Sequence, residues 1–234
     1  MKSGIKAGIV VFPGTNCDID TQRACEYFGW ETEFIWHDEK NLDKYDVIFL
    51  PGGFSYGDYI RAGRLAKFSP AVIALKDYVT AKRGFVVGIC NGFQVLCETK
   101  LLPGILSTNT NTKFICEEVE LSANHSEFPK TVKFAIAHGE GRYIADEEVL
   151  EEIITKDMIF LRYKDNPNGS ALDIAGLYDK ENKIFGMMPH PERGVFAETG
   201  NTDGRYFFQM LEKKIIESCT CNCAAMPCCQ GEDC

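Results

Sequence analysis

At 234 residues, with 45% hydrophobic and 25% charged positions, the chain has the composition of one large globular domain or two small ones. Its 34 acidic against 25 basic residues leave a net charge of -9 with no basic cluster, which argues against nucleic acid or an anionic membrane as partner. No apolar run reaches the length of a membrane span and Ile5–Phe12 is too short for a signal peptide, so a soluble cytoplasmic protein is expected.

Ile5–Phe12 reads as a buried strand stopped by Pro13-Gly14, and Asp18–Phe28 has helical spacing with Gly29 placed as a C-terminal cap. Glu33–Trp36 and Val47–Leu50 read as further strands. Ser69-Pro70 predicts a helix start, with serine as N-cap and proline at the first helical position, and the apolar pattern runs on to Val79. Gly84 punctuates, and Phe85–Ile89 is an apolar strand leading into the helical pattern Phe93–Thr99. After Pro103 the character changes: Phe114–Leu121, Thr131–Ala137, Ile159–Tyr163, Ile174–Tyr178 and Ile184–Met188 read as strands, broken by a helix over about Asp146–Thr155 and closed by one over Asp203–Ile216. Strand–helix alternation in the first hundred residues predicts an α/β domain: a parallel sheet with helices on both faces, with antiparallel strands added from the second half.

The 11 cysteines divide unevenly. Cys17, Cys25, Cys90, Cys97 and Cys116 are scattered at no disulfide-framework spacing, as in a reduced cytosolic protein. Cys219, Cys221, Cys223, Cys228, Cys229 and Cys234 crowd the last residues. Residues 1–217 are therefore read as the folded domain and 218–234 as a Cys-rich tail. The tail's C-x-C spacing is of a kind that soft metals accept, with a plain extension as the alternative. No metal site is expected in the body.

Gly88-Ile89-Cys90-Asn91-Gly92 lies between an apolar strand and a helix, the arrangement of a nucleophile elbow with cysteine in place of serine. Flanking glycines allow the sharp turn, and a thiol at a helix N-terminus is favoured as thiolate. A catalytic cysteine needs a base. His190, in Met188-Pro189-His190-Pro191-Glu192, follows an apolar strand, and proline on its far side biases it to extended backbone. Glu192, two residues on, can then reach the imidazole and orient it. Pro51-Gly52-Gly53 ends another strand, where backbone N–H groups of Gly53 and of Asn91 could form an oxyanion hole. His138 and Glu140, separated by one glycine, are too sparse for a metal set. His37 and His125 read as surface residues.

Together these segments resemble the class I glutamine amidotransferases: Pro-Gly-Gly, then Gly88-x-Cys90-x-Gly92-x-Gln94, then His190-x-Glu192. Within that family, the blocks Phe12–Asp18, Pro51–Asp58, Gly88–Gln94, Ala137–Tyr143 and Gly186–Arg193 resemble the small stand-alone glutaminase subunits of purine biosynthesis, over residues 5–216. The resemblance implies a flavodoxin-like fold and a Cys90–His190–Glu192 triad that hydrolyses the side-chain amide of glutamine. It also implies that Gly52 and Gln94 help hold that substrate, and that ammonia passes to a separate synthetase subunit, with a small third subunit in the complex. That synthetase would use ATP and Mg to convert formylglycinamide ribonucleotide to its amidine. No cofactor is expected in this chain, which has no G-x-x-x-x-G-K-[ST] phosphate loop. Gly53–Asp58 and His138–Gly141 argue against a glutaminase serving guanylate, imidazole glycerol phosphate or pyridoxal phosphate synthesis, and the intact Cys–His–Glu set argues against an inactive module.

Overall fold

The computed structural model of the chain describes residues 3–224. Five strands, β1 (Lys6–Val11), β2 (Glu31–Trp36), β3 (Val47–Leu50), β4 (Phe85–Ile89) and β11 (Ile184–Met187), form a parallel core in the order β2-β1-β3-β4-β11. β10 (Ile174–Asp179), β9 (Ile159–Tyr163), β6 (Ile115–Ala123) and β7 (Thr131–His138) continue the same sheet antiparallel. The expected open, mostly parallel sheet with added antiparallel strands is what the chain forms. β5 (Ile105–Ser107) and β8 (Arg142–Ile144), too short to be legible as strands, pair as a separate two-stranded ladder.

Strands β3 and β4 are buried at every residue, as a sheet covered on both faces requires. The helices are α1 (Asp18–Tyr27), α2 (Pro70–Thr80), α3 (Asn91–Glu98), α4 (Glu147–Thr155) and α5 (Gly204–Ala224). Adjacent residues of β11 show the two faces. Phe185 meets Phe207 of α5 edge-on at 5.5 Å, whereas a methyl on Gly186 would overlap the ring of Phe93 in α3. Successive side chains of a strand point to opposite faces, so α5 and α3 cover opposite sides of the sheet. Phe208 of α5 adds contacts to Phe49 and Trp30, and Trp30 Nε1 donates to Glu212 Oε1 at 3.1 Å.

The caps follow the sequence. Ser69 Oγ accepts from the Val72 N–H ahead of Pro70, and Asp146 Oδ1 accepts from the Val149 N–H at the start of α4. Gly29, just past α1, has φ +75°, the left-handed conformation of a glycine terminator. The closing helix is longer than its apolar pattern suggested: it continues past Ile216 to Ala224, so the boundary drawn at residue 217 falls within a helix. The side chains of Cys219, Cys221, Cys223, Cys228, Cys229 and Cys234 lie outside the described residues, and the metal reading of the tail lies there with them. Among the described residues no helix is long and apolar enough to cross a membrane.

Gly92 lets α3 approach the sheet so closely that a methyl there would overlap the Leu50 carbonyl oxygen. Gly92→Ala should therefore lose about 1–3 kcal/mol of stability through overpacking. Urea unfolding of the full chain measures this; an unchanged midpoint would mean that α3 moves away from β3 without cost.

Candidate active site

β4 and β11 are parallel neighbours, with Gly186 opposite Gly88 and Met187 opposite Ile89. Their C-terminal ends deliver Cys90 and the His190 segment to one sheet edge, where α/β folds place their ligands. Cys90 stands between β4 and α3 with φ 52° and ψ -105°, a conformation costly for a non-glycine residue and held by its neighbours. Its N–H donates to the Met187 carbonyl at 2.7 Å, which ties the turn to the adjacent strand. The glycine before it is required: a methyl on Gly88 would overlap Leu96 and the backbone of Gly92. The Cys90 thiol points to the Ala137 carbonyl at 3.7 Å.

His190 and Glu192 meet differently from expectation. Pro191–Gly194 is a 3-10 turn rather than an extended segment, and His190 precedes it at φ -105°, ψ 86°. The turn still brings Glu192 Oε1 to 2.6 Å from His190 Nδ1, with both side chains almost fully buried. The His190 N–H donates to the Ala135 carbonyl of β7 at 2.9 Å, so the far strand of the sheet closes on the histidine loop. Burial opposes the imidazolium, but the Glu192 carboxylate, with Cys90 and Cys17 beside the ring, outweighs it and holds His190 well above the usual histidine range. His190 Nε2 has no protein partner, which leaves it free toward a reacting group.

Gly52 forms the floor beneath these groups. A methyl on it would fall 2.7 Å from His190 Cε1, 3.1 Å from Cys17 Sγ and 3.4 Å from Cys90 Cβ. Gly53 has φ +145° and bridges to Thr15 through the Phe54 and Asn16 N–H groups, a pattern that does not use its own N–H. Asn91 is the first residue of α3, where the N–H has no acceptor within the helix.

In front of Cys90 lies a cavity of about 200 Å³, lined by Gly53, Asp58, Gln94, His138 and Glu140 among others. Gln94 belongs to its wall, but its amide is occupied: Oε1 accepts from Asn91 at 2.9 Å and Nε2 donates to the Glu140 carbonyl at 2.7 Å. His138 is buried against Asn109 Oδ1 at 3.2 Å, and burial, with His190 nearby, lowers it to about 4. It is a neutral wall. Asp58 is raised to about 6 by burial and by the nearby Glu140 carboxylate.

Two features of this region were not brought together by the sequence, although the Phe12–Asp18, Pro51–Asp58 and Ala137–Tyr143 blocks contain their residues and the resemblance placed the His138–Gly141 loop near the mouth of the site. Asp58 and Glu140 enter the cavity together from segments 82 residues apart, joined by no periodic signal. Cys17 brings a second thiol within 4.8 Å of ligand atoms of His190 and Glu192, and it accepts a hydrogen bond from Arg193 Nη2 at 3.1 Å. The only signal for Cys17 was its place in the Phe12–Asp18 block.

Known proteins agree with this geometry. The model of the CobB/CobQ-like glutamine amidotransferase domain matches residues 5–210. Phosphoribosylformylglycinamidine synthase subunit PurQ of Prochlorococcus marinus (strain MIT 9312) is 46% identical over 213 residues, covering 87% of this chain and 96% of that protein. A chain in the structure of PurLQS from Thermotoga maritima superposes with a TM-score of 0.82 at 38% identity, covering 91% of this chain and 99% of that one. A second protein of Thermotoga maritima, described as a glutamine amidotransferase, shares the fold, with a TM-score of 0.58 at 14% identity and coverage of 92% and 85%. With an elbow cysteine, a buried histidine–carboxylate pair and a family match over most of its length, the chain belongs to the CobB/CobQ-like glutamine amidotransferases.

Proposed function

We propose that the chain is the glutaminase subunit of a phosphoribosylformylglycinamidine synthase, which releases ammonia from glutamine for a synthetase subunit. The observation that carries the reading is the buried His190–Glu192 pair beside an elbow cysteine that opens onto a small cavity, in a chain 46% identical to a PurQ subunit.

The chemistry follows from the positions. Cys90 thiolate adds to the side-chain amide carbon of glutamine, and the developing oxyanion meets the N–H groups of Gly53 and Asn91. His190, charged by the transfer of the thiol proton, gives that proton to the leaving nitrogen; the C–N bond breaks and ammonia departs, leaving a thioester on Cys90. Water, deprotonated by His190, attacks the thioester carbon; glutamate leaves and the proton returns to the thiol. Glu192 stabilises the imidazolium and fixes Nδ1 as a donor, so that Nε2 faces the reaction. Gly52 supports the floor on which glutamine lies, and Gln94 contributes by holding Asn91 and the Glu140 backbone.

The synthetase subunit, with the ATP and Mg it uses, and a small third subunit complete the complex in this reading; the formylglycinamide ribonucleotide is consumed there. The glutaminase unit is assigned to residues 1–217, and residues 218–234 lie outside the chemistry. The site is assigned to the cytoplasm, where its thiols stay reduced.

Assayed with the cognate synthetase subunit, Cys90→Ala should abolish glutamine-dependent amidine synthesis while synthesis from added ammonia continues. Glutamine-dependent turnover surviving in Cys90→Ala would overturn the nucleophile assignment. His190→Ala should slow glutamine hydrolysis at least about a hundredfold, the usual contribution of a positioned acid–base. Glu192→Gln should cost clearly less. Steady-state ammonia release separates them, and unchanged rates in both variants would move the base to another histidine.

A further inference from the structure

Besides Cys90, three cysteines are buried among the described residues: Cys17, Cys25 and Cys97. Cys25 and Cys97 are core thiols, and burial pushes both well above the usual cysteine range. Cys17 is as well enclosed, at 2% exposed, but its sulfur meets polar groups. The residue lies just ahead of α1, and its side chain makes no bond to the helix end. The sulfur faces the turn that carries His190 and Glu192 instead. It accepts from Arg193 Nη2 at 3.1 Å and lies within 4.8 Å of a ring nitrogen of His190 and a carboxylate oxygen of Glu192.

The backbone of Cys17 is fixed on both sides. Its N–H donates to the Gly52 carbonyl at 3.1 Å, and its carbonyl accepts from the Thr21 N–H at 3.0 Å and the Thr21 hydroxyl at 2.8 Å. Arg193 is tied to the same helix a second time, with Nε 3.5 Å from Asp20 Oδ2. The guanidinium thus joins the start of α1 to the turn just after the histidine. Glu192 holds the His190 ring at Nδ1, and the Ala135 carbonyl holds its backbone. The Cε1 edge meets the bare face of Gly52 and, across it, the Cys17 sulfur: the methyl position of Gly52 is 2.7 Å from Cε1 and 3.1 Å from Sγ. A ring held at one nitrogen still swings about that bond, and a neighbour whose own position is locked removes the freedom.

We propose that Cys17 is a positioning residue for His190: its sulfur, held by Arg193, fixes the imidazole at the angle from which Nε2 faces the reacting group. The proposal rests on the glutaminase reading above. No bond to this sulfur is made or broken; it acts as a contact atom and as the acceptor for Arg193. A thiol suits the place because it packs as a small apolar group and still accepts a weak hydrogen bond. Beside the ring stand Glu192, Cys90 and, from the end of β7, the neutral His138, and Cys17 is among the groups that favour the imidazolium.

The test measures ammonia release from glutamine by the full chain with its synthetase subunit, for three variants. Cys17→Ser keeps an acceptor for Arg193, Cys17→Val fills the space without one, and Cys17→Ala removes both. Cys17→Val and Cys17→Ala should each lower kcat about tenfold, the scale of a small misplacement, with KM for glutamine held within about twofold. Cys17→Ser should recover most of the loss. In the two apolar variants the alkaline limb of kcat/KM should move to lower pH, because the imidazolium loses a supporting neighbour and gives up its proton earlier. Circular dichroism checks that each variant is folded, and the comparison needs only Cys17→Ser and one folded apolar variant. An unchanged kcat in the apolar variants overturns the proposal, and so does rescue by valine with loss in serine, the pattern of packing alone. A wild type that releases no ammonia from glutamine would instead defeat the glutaminase reading, and this proposal with it.

Discussion

The pairing of β11 with β4 is the constraint on which the site depends. Cys90 and His190 lie about a hundred positions apart in the chain, and they meet because their strands are hydrogen-bonded neighbours ending at the same edge. In a pleated sheet a slip of one residue turns every side chain to the opposite face, so register fixes which residue emerges as nucleophile. The Cys90 N–H bond to Met187 locks that register at its last rung. The antiparallel half of the sheet serves the same end: β7, its outermost strand, returns to bind the His190 backbone and presents the Ala137 carbonyl to the thiol.

Two buried histidines show how partners, rather than burial, set the charge. His138 and His190 are similarly enclosed, and burial alone disfavours the imidazolium of both. His138 faces the neutral amide of Asn109 and stays uncharged, whereas His190 faces the carboxylate of Glu192 and is held ready to carry a proton. A buried ion pair is a poor source of stability, since desolvation offsets the attraction. Its retention at Glu192 is therefore explained by chemistry at the ring's other nitrogen.

Much of this was legible in the sequence because it depends on local rules. Glycines around Cys90 announced the elbow, and the Ser69-Pro70 and Asp146 starts announced helices. β-Branched runs marked the buried strands, and proline after His190 marked a constrained loop. The exceptions share a cause. The 3-10 turn at Pro191 replaced an extended reading because a proline that restricts the residue before it can also open a tight turn at its own position. The acid pair and Cys17 come from segments that follow no hydrophobic period, so nothing short of the fold could bring them together. The length of α5 was underread because its stretch beyond Ile216 lacks the apolar spacing that marked the rest.

The segment around Asp58 has a consequence for motion. Cys90 is anchored between central strands of a nine-stranded sheet, so exposing its amide requires the sheet itself to part, at a free energy close to that of global unfolding. Residues 55–64 lie outside every ladder of the sheet, and Tyr59 and Ile60 at their tip are 73% and 77% exposed. A segment held outside the ladders, here by the bonds of Ser55 and Asp58 to Asn91 and of Ala62 to Glu140, opens at a lower free energy than the sheet. The groups assigned to the chemistry are thereby as permanent as the fold, while one of the two acids in front of them sits on a part of the chain that breathes.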